Sequence, residues 1–254
     1  MRKSPIENRQ LKILDEKKAR LDAHRPLPSA IVAKLAEYFR VDWTYNSNAI
    51  EGSSITLAET RAILLDGVTI GGKSLREHLE VINHSHAIDL VEQLASQPAP
   101  ITETTIRQIH ALVLRTIDDD NAGSYRHVNV RIAGSDYVPP DVGAVASLMY
   151  DFARWLNQAE TQALHPVERA ALAHFKLVDI HPFVDGNGRT ARLLMNLILM
   201  QAGFPPTIIK TNDRKAYYAA LEQAHAGDTH DFIAVIANAV EQTLDIYLDA
   251  LPRS

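Results

Sequence analysis

Among its 254 residues the chain has no cysteine. That excludes a disulfide framework and any thiolate-based metal site, and it fits a reducing compartment. No long run of one charge occurs, and the net charge is −5, so a basic nucleic-acid-binding face is not to be expected. Long apolar runs are also missing. The longest, around Leu193–Met200, is broken by Asn196 and is too short to span a bilayer. The N-terminal MRKSPIENRQLKILDEKKAR is charged throughout and lacks the apolar centre of a secretory signal. No internal repeat is present. These absences leave a cytoplasmic chain with neither membrane nor nucleic acid as partner. Its length suits one large domain or a domain with an extension.

What remains is overwhelmingly helical in pattern. Residues 5–23 and 29–46 read as two N-terminal helices separated by Arg25-Pro-Leu-Pro28, and a short helix ends at Glu51-Gly52. We place a helical extension at 1–44 and the main domain at 45–254. Thr56–Asp66, 74–96, 103–116, 141–158, 166–179, 188–202, 212–226 and 229–250 follow as helices. Thr102 is placed to cap one of them, and Pro166 falls in the first turn of another. The exception is Gly123–Pro140, where Val128, Val130 and Ile132 alternate with polar residues before a turn at Ala133–Asp136. This pattern predicts a β-hairpin.

One stretch carries chemistry: His181-Pro-Phe-Val-Asp-Gly-Asn-Gly-Arg-Thr-Ala-Arg192. Gly186–Gly188 make a turn whose N–H groups, with the N-terminus of the following helix, suit a phosphate. Arg189 and Arg192 are three residues apart on one helical face and can reach the same anion. Asp185 is a hard oxygen ligand suited to Mg²⁺ or Mn²⁺ bridging phosphates. His181 is the one group here that takes a proton near neutral pH. Together they describe a site that transfers part of a nucleotide.

The stretch resembles the signature of Fic-domain proteins, HPFx(D/E)GNGRxxR, at every fixed position. The resemblance implies an all-α Fic fold, a helical bundle in which the hairpin is a flap that docks a target segment by strand addition through Val128, Val130 and Ile132. It implies transfer of AMP from ATP to a Ser, Thr or Tyr hydroxyl of a target protein, with His181 as base. Asn187 takes the family's turn position. A glycine at 188, where some relatives carry lysine, favours AMP transfer. Tyr217 and Tyr218 align with positions that wall the nucleoside pocket, although on a helix they also read as ordinary core. His225 stands where close relatives often place asparagine, which leaves base selectivity open.

Upstream, Ser47-Asn-Ala-Ile-Glu51-Gly52 resembles the family's inhibitory motif, (S/T)xxxE(G/N). In the class whose inhibitory helix precedes the core, the glutamate holds the second signature arginine, here Arg192, away from the γ-phosphate. The expected inhibitory helix spans 45–52. The likeness extends from about Tyr45 to Leu251 and points to the branch of the animal endoplasmic-reticulum enzyme and its bacterial relatives. Such relatives dimerise through the face around Gly72–Leu75. The resemblance therefore implies a homodimer with Leu75 as a contact, beside the plainer reading of a packed leucine. Two other functions stay open: removal of AMP by hydrolysis using Glu51, and a nucleotide- or partner-binding module without turnover. His78, His84 and His86 do not share one helical face, and with His165 and His174 they read as structural.

Overall fold

The computed structural model describes residues 8–97 and 99–251; residues 5–7 of the first expected helix lie outside them. Eleven α-helices form among the described residues: α1 (Asn8–Asp22), α2 (Ser29–Ile50), α3 (Leu57–Arg61), α4 (Leu75–Ser96), α5 (Glu103–Leu114), α6 (Val145–Leu156), α7 (Ala159–Gln162), α8 (Pro166–Ile180), α9 (Asn187–Gln201), α10 (Arg214–His225) and α11 (His230–Asp249). The all-α bundle expected from the pattern is what forms.

Helix α9 is the axis of the bundle. It is buried without a break from Arg189 to Leu199: the stretch from Leu193 to Leu199 is apolar apart from Asn196, and the first turns bury Arg189 and Arg192. Helix α8 lies along it through Ala170, Ala173 and Leu177, while α4 and α5 cover its other sides. Helix α11 packs on α8 and α10, and α1 lies against α11. The ends follow local chemistry. Thr102 and Ser74 each open their helices with reciprocal capping boxes. Pro166 occupies the first turn of α8, and Gly203 follows α9 at φ 81°.

Two expectations are corrected. The short helix at 45–52 is not separate: α2 runs unbroken from Ser29 to Ile50, across the division drawn at 44/45, and Glu51 is its C-cap. Nothing between 46 and 47 breaks the helix, because Tyr45-Asn-Ser-Asn48 is held from outside. Asn46 takes the N–H of Thr211 on its Oδ1 at 2.9 Å, and Asn48 donates to the Glu80 carbonyl at 3.3 Å. The hairpin is the second. Among the described residues no strand forms, and residues 124–132, bent at 127–128, and 135–141 are irregular arms about a turn at 133–134. The return arm carries Pro139 and Pro140, which have no N–H to give to a ladder. The arms are instead joined by side chains. Arg126 donates to the Pro140 carbonyl at 2.6 Å, and Asn129 to Asp141 at 3.0 Å.

Candidate active site

Helices α8 and α9 meet end to start, and the loop between them carries the signature. His181 closes α8 with φ 49° and ψ 57°, a left-handed conformation that usually goes to glycine. For a residue with a Cβ it costs on the order of 1–2 kcal/mol. The loop is braced against that cost. Buried Arg126 donates through Nε to the His181 carbonyl at 2.8 Å, and its own N–H donates to the Pro182 carbonyl at 2.9 Å.

The His181 ring is oriented by Nδ1, which donates to the Val178 carbonyl at 3.3 Å. A carbonyl only accepts, so in the neutral ring Nε2 is the bare nitrogen. Burial is the main influence and pushes the pKa down to about 4, against the raising hydrogen bond to Val178, with Arg126 and Glu51 as smaller influences of opposite sign. The ring is therefore an unprotonated base at neutral pH.

Beyond the loop, Gly186 caps α9 at φ 76°. A Cβ there would press on Val113 at 3.1 Å and on the His110 ring at 3.4 Å. His110 is a brace that sequence reasoning missed. Its Nδ1 accepts the Gly123 N–H at 2.9 Å, so Nε2 carries the proton given to the Asp185 carbonyl at 2.9 Å. Its ring stacks on Phe183 at 3.6 Å. Asn187 spends its side chain on the loop, accepting from the Phe183 N–H at 3.0 Å and donating to its carbonyl at 2.9 Å. One hydrogen of its side-chain amide and its backbone N–H make no bond to the protein among these contacts. The first N–H groups of α9 have no partner within the helix, and they face this loop.

The two signature arginines are both buried. Arg189 reaches Asp185 at 3.2 Å and Glu80 at 3.4 Å. Arg192 donates through Nε to Ser47 Oγ at 3.0 Å, and through Nη2 to the Ser47 carbonyl and to Glu51 Oε1, each at 2.7 Å. Its Nη1 has no partner and is sealed from solvent. Burial alone would lower the Arg192 pKa, but Glu51, Tyr217 and Tyr218 together outweigh it and keep the guanidinium charged. Glu51 lies over Gly188, where any Cβ would collide with its Oε1. The end of α2 is anchored there from α10: Arg214 and Tyr218 both donate to the Ile50 carbonyl, at 2.8 and 3.3 Å.

Asp185 is the candidate metal ligand. Burial would raise its pKa, but Arg189, the Gly186 N–H and Arg76 together hold it ionised. Its Oδ2 accepts from Arg76 Nη2 at 2.6 Å. One ionised carboxylate at the rim of a phosphate-sized loop fits magnesium, which takes most of its ligands from phosphate and water.

These residues share one cavity of about 700 Å³, lined by Glu51, His181, the 184–188 loop, Arg214, Tyr217, Tyr218, Leu221, Glu222, His225 and residues 131–135. Tyr218 is half-buried at its wall. Tyr217 belongs mostly to the core. It is 1% exposed and its hydroxyl meets His174 Nε2 at 3.1 Å. Val128 is 57% exposed, and Val130 and Ile132 are partly covered. Leu75 stands 75% exposed at the start of α4. His78, His84 and His86 lie apart: His78 ties Ile70 to Ser74, while buried His84 sits beside Trp43.

The model of the Fic/DOC family matches residues 100–199. Fic-1 from C. elegans is 38% identical, with a TM-score of 0.86 over 96% of this chain and 71% of that one. This chain belongs to the Fic/DOC family. A Fic domain containing signaling protein from Bacteroides thetaiotaomicron is 29% identical, with a TM-score of 0.86 over 95% of this chain and 97% of its own. The curated protein adenylyltransferase Fic of Drosophila grimshawi is 43% identical over 96% of this chain. The chain spans about half the length of that relative, 50%. Within the Fic fold, the signature loop, its braces and the end of α2 converge on the cavity. No helix among the described residues is long and apolar enough to cross a membrane.

Proposed function

We propose that this Fic protein is a self-inhibited protein adenylyltransferase that moves AMP from ATP to a Ser, Thr or Tyr hydroxyl of a target protein. The observation that carries the reading is Arg192. One of its nitrogens is held by Glu51, while another is buried, unpaired and beside Gly188. A buried donor without a partner is costly, and a phosphate oxygen satisfies it.

In the reaction, the target oxygen attacks the α-phosphorus. Its proton passes to His181 Nε2, and the bond from the α-phosphorus to the bridging oxygen breaks to release pyrophosphate. The N–H groups at the start of α9, with Arg189 and Arg192, hold the developing charge in a place where water is scarce. Magnesium on Asp185 would neutralise phosphate oxygens and orient them in line. Glu51 restrains the reaction by keeping Arg192 from the γ-phosphate and by crowding the loop. The arm at 124–132, whose Val130 and Ile132 N–H groups make no backbone bond among the described residues, would receive a target segment in the manner of strand addition.

Glu51 lines the same cavity as His181, and this favours one further reading. A carboxylate placed there orients water for hydrolysis of AMP from a modified target. We also assign the chain to the cytoplasm and propose a homodimer through exposed Leu75, which sedimentation of Leu75→Asp tests. Labelled ATP, magnesium and a cell lysate with purified Glu51→Gly test the main reading. Labelled target bands are expected, and none with a folded protein would end it.

A further inference from the structure

A second cavity, of about 470 Å³, lies at the far end of the α8–α9 pair, away from the signature loop. It opens between residues 99–101, the ends of α6 and α9, α7 and the start of α8. Buried Ile101, Leu156 and Ile198 give it an apolar lining. Among the described residues that line it, Arg169 alone is charged. Its guanidinium is half-buried, and burial lowers its pKa with no neighbouring charge to offset the effect. Nη1 donates to Gln162 Oε1. Nε is sealed from solvent without a partner, whereas Nη2 makes no hydrogen bond among the described residues and is not sealed. Nε and Nη2 share one edge of the planar fork, and such an edge takes both oxygens of a carboxylate. The walls are tied in place by side-chain amides. Gln162 donates to the Leu156 carbonyl at 2.6 Å, Asn157 to the Ile101 carbonyl at 2.8 Å, and Gln201 to the Ala99 carbonyl at 3.3 Å. The cavity is therefore formed in advance of any ligand.

We propose that this cavity binds a small organic carboxylate with an apolar body, its two oxygens on the Nε–Nη2 edge of Arg169 and its hydrocarbon against Leu156 and Ile198. A buried N–H without a partner is costly. A small turn of the flexible Arg169 side chain lets a carboxylate in the cavity relieve that cost. One positive charge matches one carboxylate. A phosphate would leave charge and oxygens unpaired beside the apolar lining, and a neutral amide of the same shape lacks the charge-assisted bonds. The nucleotide cavity is not involved. Twelve residues of sequence, from Arg169 to His181 at the end of α8, separate the two places by about 18 Å along the helix.

The test is titration of the full chain at neutral pH with isocaproate, with isocaproamide as its neutral counterpart, and with inorganic phosphate, followed by nitrogen-15 and methyl NMR. Isocaproate should shift the Arg169 Nε resonance and the Leu156 and Ile198 methyls together, saturating in the millimolar range. The amide should bind at least about tenfold more weakly, as the loss of a charge-assisted hydrogen bond predicts. Phosphate should leave the methyls unmoved. Arg169→Gln, with the melting temperature of the parent, should abolish the response to isocaproate. Arg169→Lys, which keeps the charge and lacks the fork, should weaken it, and this variant carries the test if Arg169→Gln does not fold. The absence of a saturable shift with isocaproate overturns the proposal. So does an equal response to the amide or to phosphate, or an undiminished response in the folded Arg169 variants.

Discussion

Glu51 Oε1 accepts from Arg192 Nη2 at 2.7 Å directly above the α-carbon of Gly188. The inhibitory pair and the phosphate loop are thus in van der Waals contact, and a change at either is felt by the other.

Gly188→Ala reads this contact. In the parent, its Cβ meets Glu51 and stands 3.1 Å from Arg192 Nη1, so the melting temperature should fall. In a Glu51→Gly background the main obstacle is gone. Alanine near a helix start then gains up to about 1 kcal/mol over glycine. A double-mutant cycle of thermal melts should show the sign reversing. Equal effects in both backgrounds would place Glu51 elsewhere in solution.

Glu51→Gly should raise AMP transfer, including self-modification. A charge-assisted hydrogen bond is worth about 1.5–3 kcal/mol, discounted because the Glu51 side chain is 37% exposed. A gain of about tenfold to a hundredfold is expected. Arg192→Ala should not reproduce it, since that change also removes a phosphate ligand. A folded Glu51→Gly protein no more active than the parent would refute the brake.

His181→Ala in the Glu51→Gly background should abolish transfer and leave ATP affinity nearly unchanged, as the phosphates are held by α9 and its arginines. With the base held near pKa 4, kcat/KM should be flat from pH 8 to 6 and fall below about pH 5 as the ring takes its proton. Loss of activity already at pH 6.5 would contradict a buried, neutral ring.

Several histidines also set acid stability. His181 and His110 are each lowered to about 4 by burial, and His84 and His174 are lowered well below their ordinary value. The unfolded chain binds these protons near pH 6.5 and the folded chain resists them. Stability is therefore lost as pH falls from about 6.5 toward 4. For His181 and His110, lowering from about 6.5 to about 4 corresponds to roughly 3 kcal/mol each. The melting temperature should drop between pH 7.5 and 5; an unchanged value would mean that these rings are solvated.

Proline at Val130 or Ile132 should lower target modification while sparing ATP affinity. The arms make no ladder of their own, so the substitution removes only a donor offered outward. Full transfer to a native target by both variants would show that these arms do not hold it.

The site was largely legible because its central residues are contiguous. Twelve residues, His181 to Arg192, carry the base, the phosphate turn and both arginines, and the Ser47–Glu51 spacing located their restraint. The braces were not. Arg126, His110 and Arg76 reach the loop, and Arg214 the end of α2, through contacts that span tens to more than a hundred residues of sequence, and no spacing announces them. The arms at 124–141 alternate as a strand does, yet alternation reports side-chain direction, whereas a ladder also requires a partner with N–H groups to give. Tyr217 shows the same limit, since helical periodicity cannot tell a core face from a pocket wall.

The unbroken course of α2 makes Glu51 the tip of a lever. Twenty-two residues at 1.5 Å each give a rod of about 33 Å, so a tilt of about 5° about its far end sweeps the tip through about 3 Å. That stroke is the length of one hydrogen bond. A small rotation about the amino-terminal end, where α2 begins after Pro28, is geometrically sufficient to part Glu51 from Arg192 without unwinding a single turn.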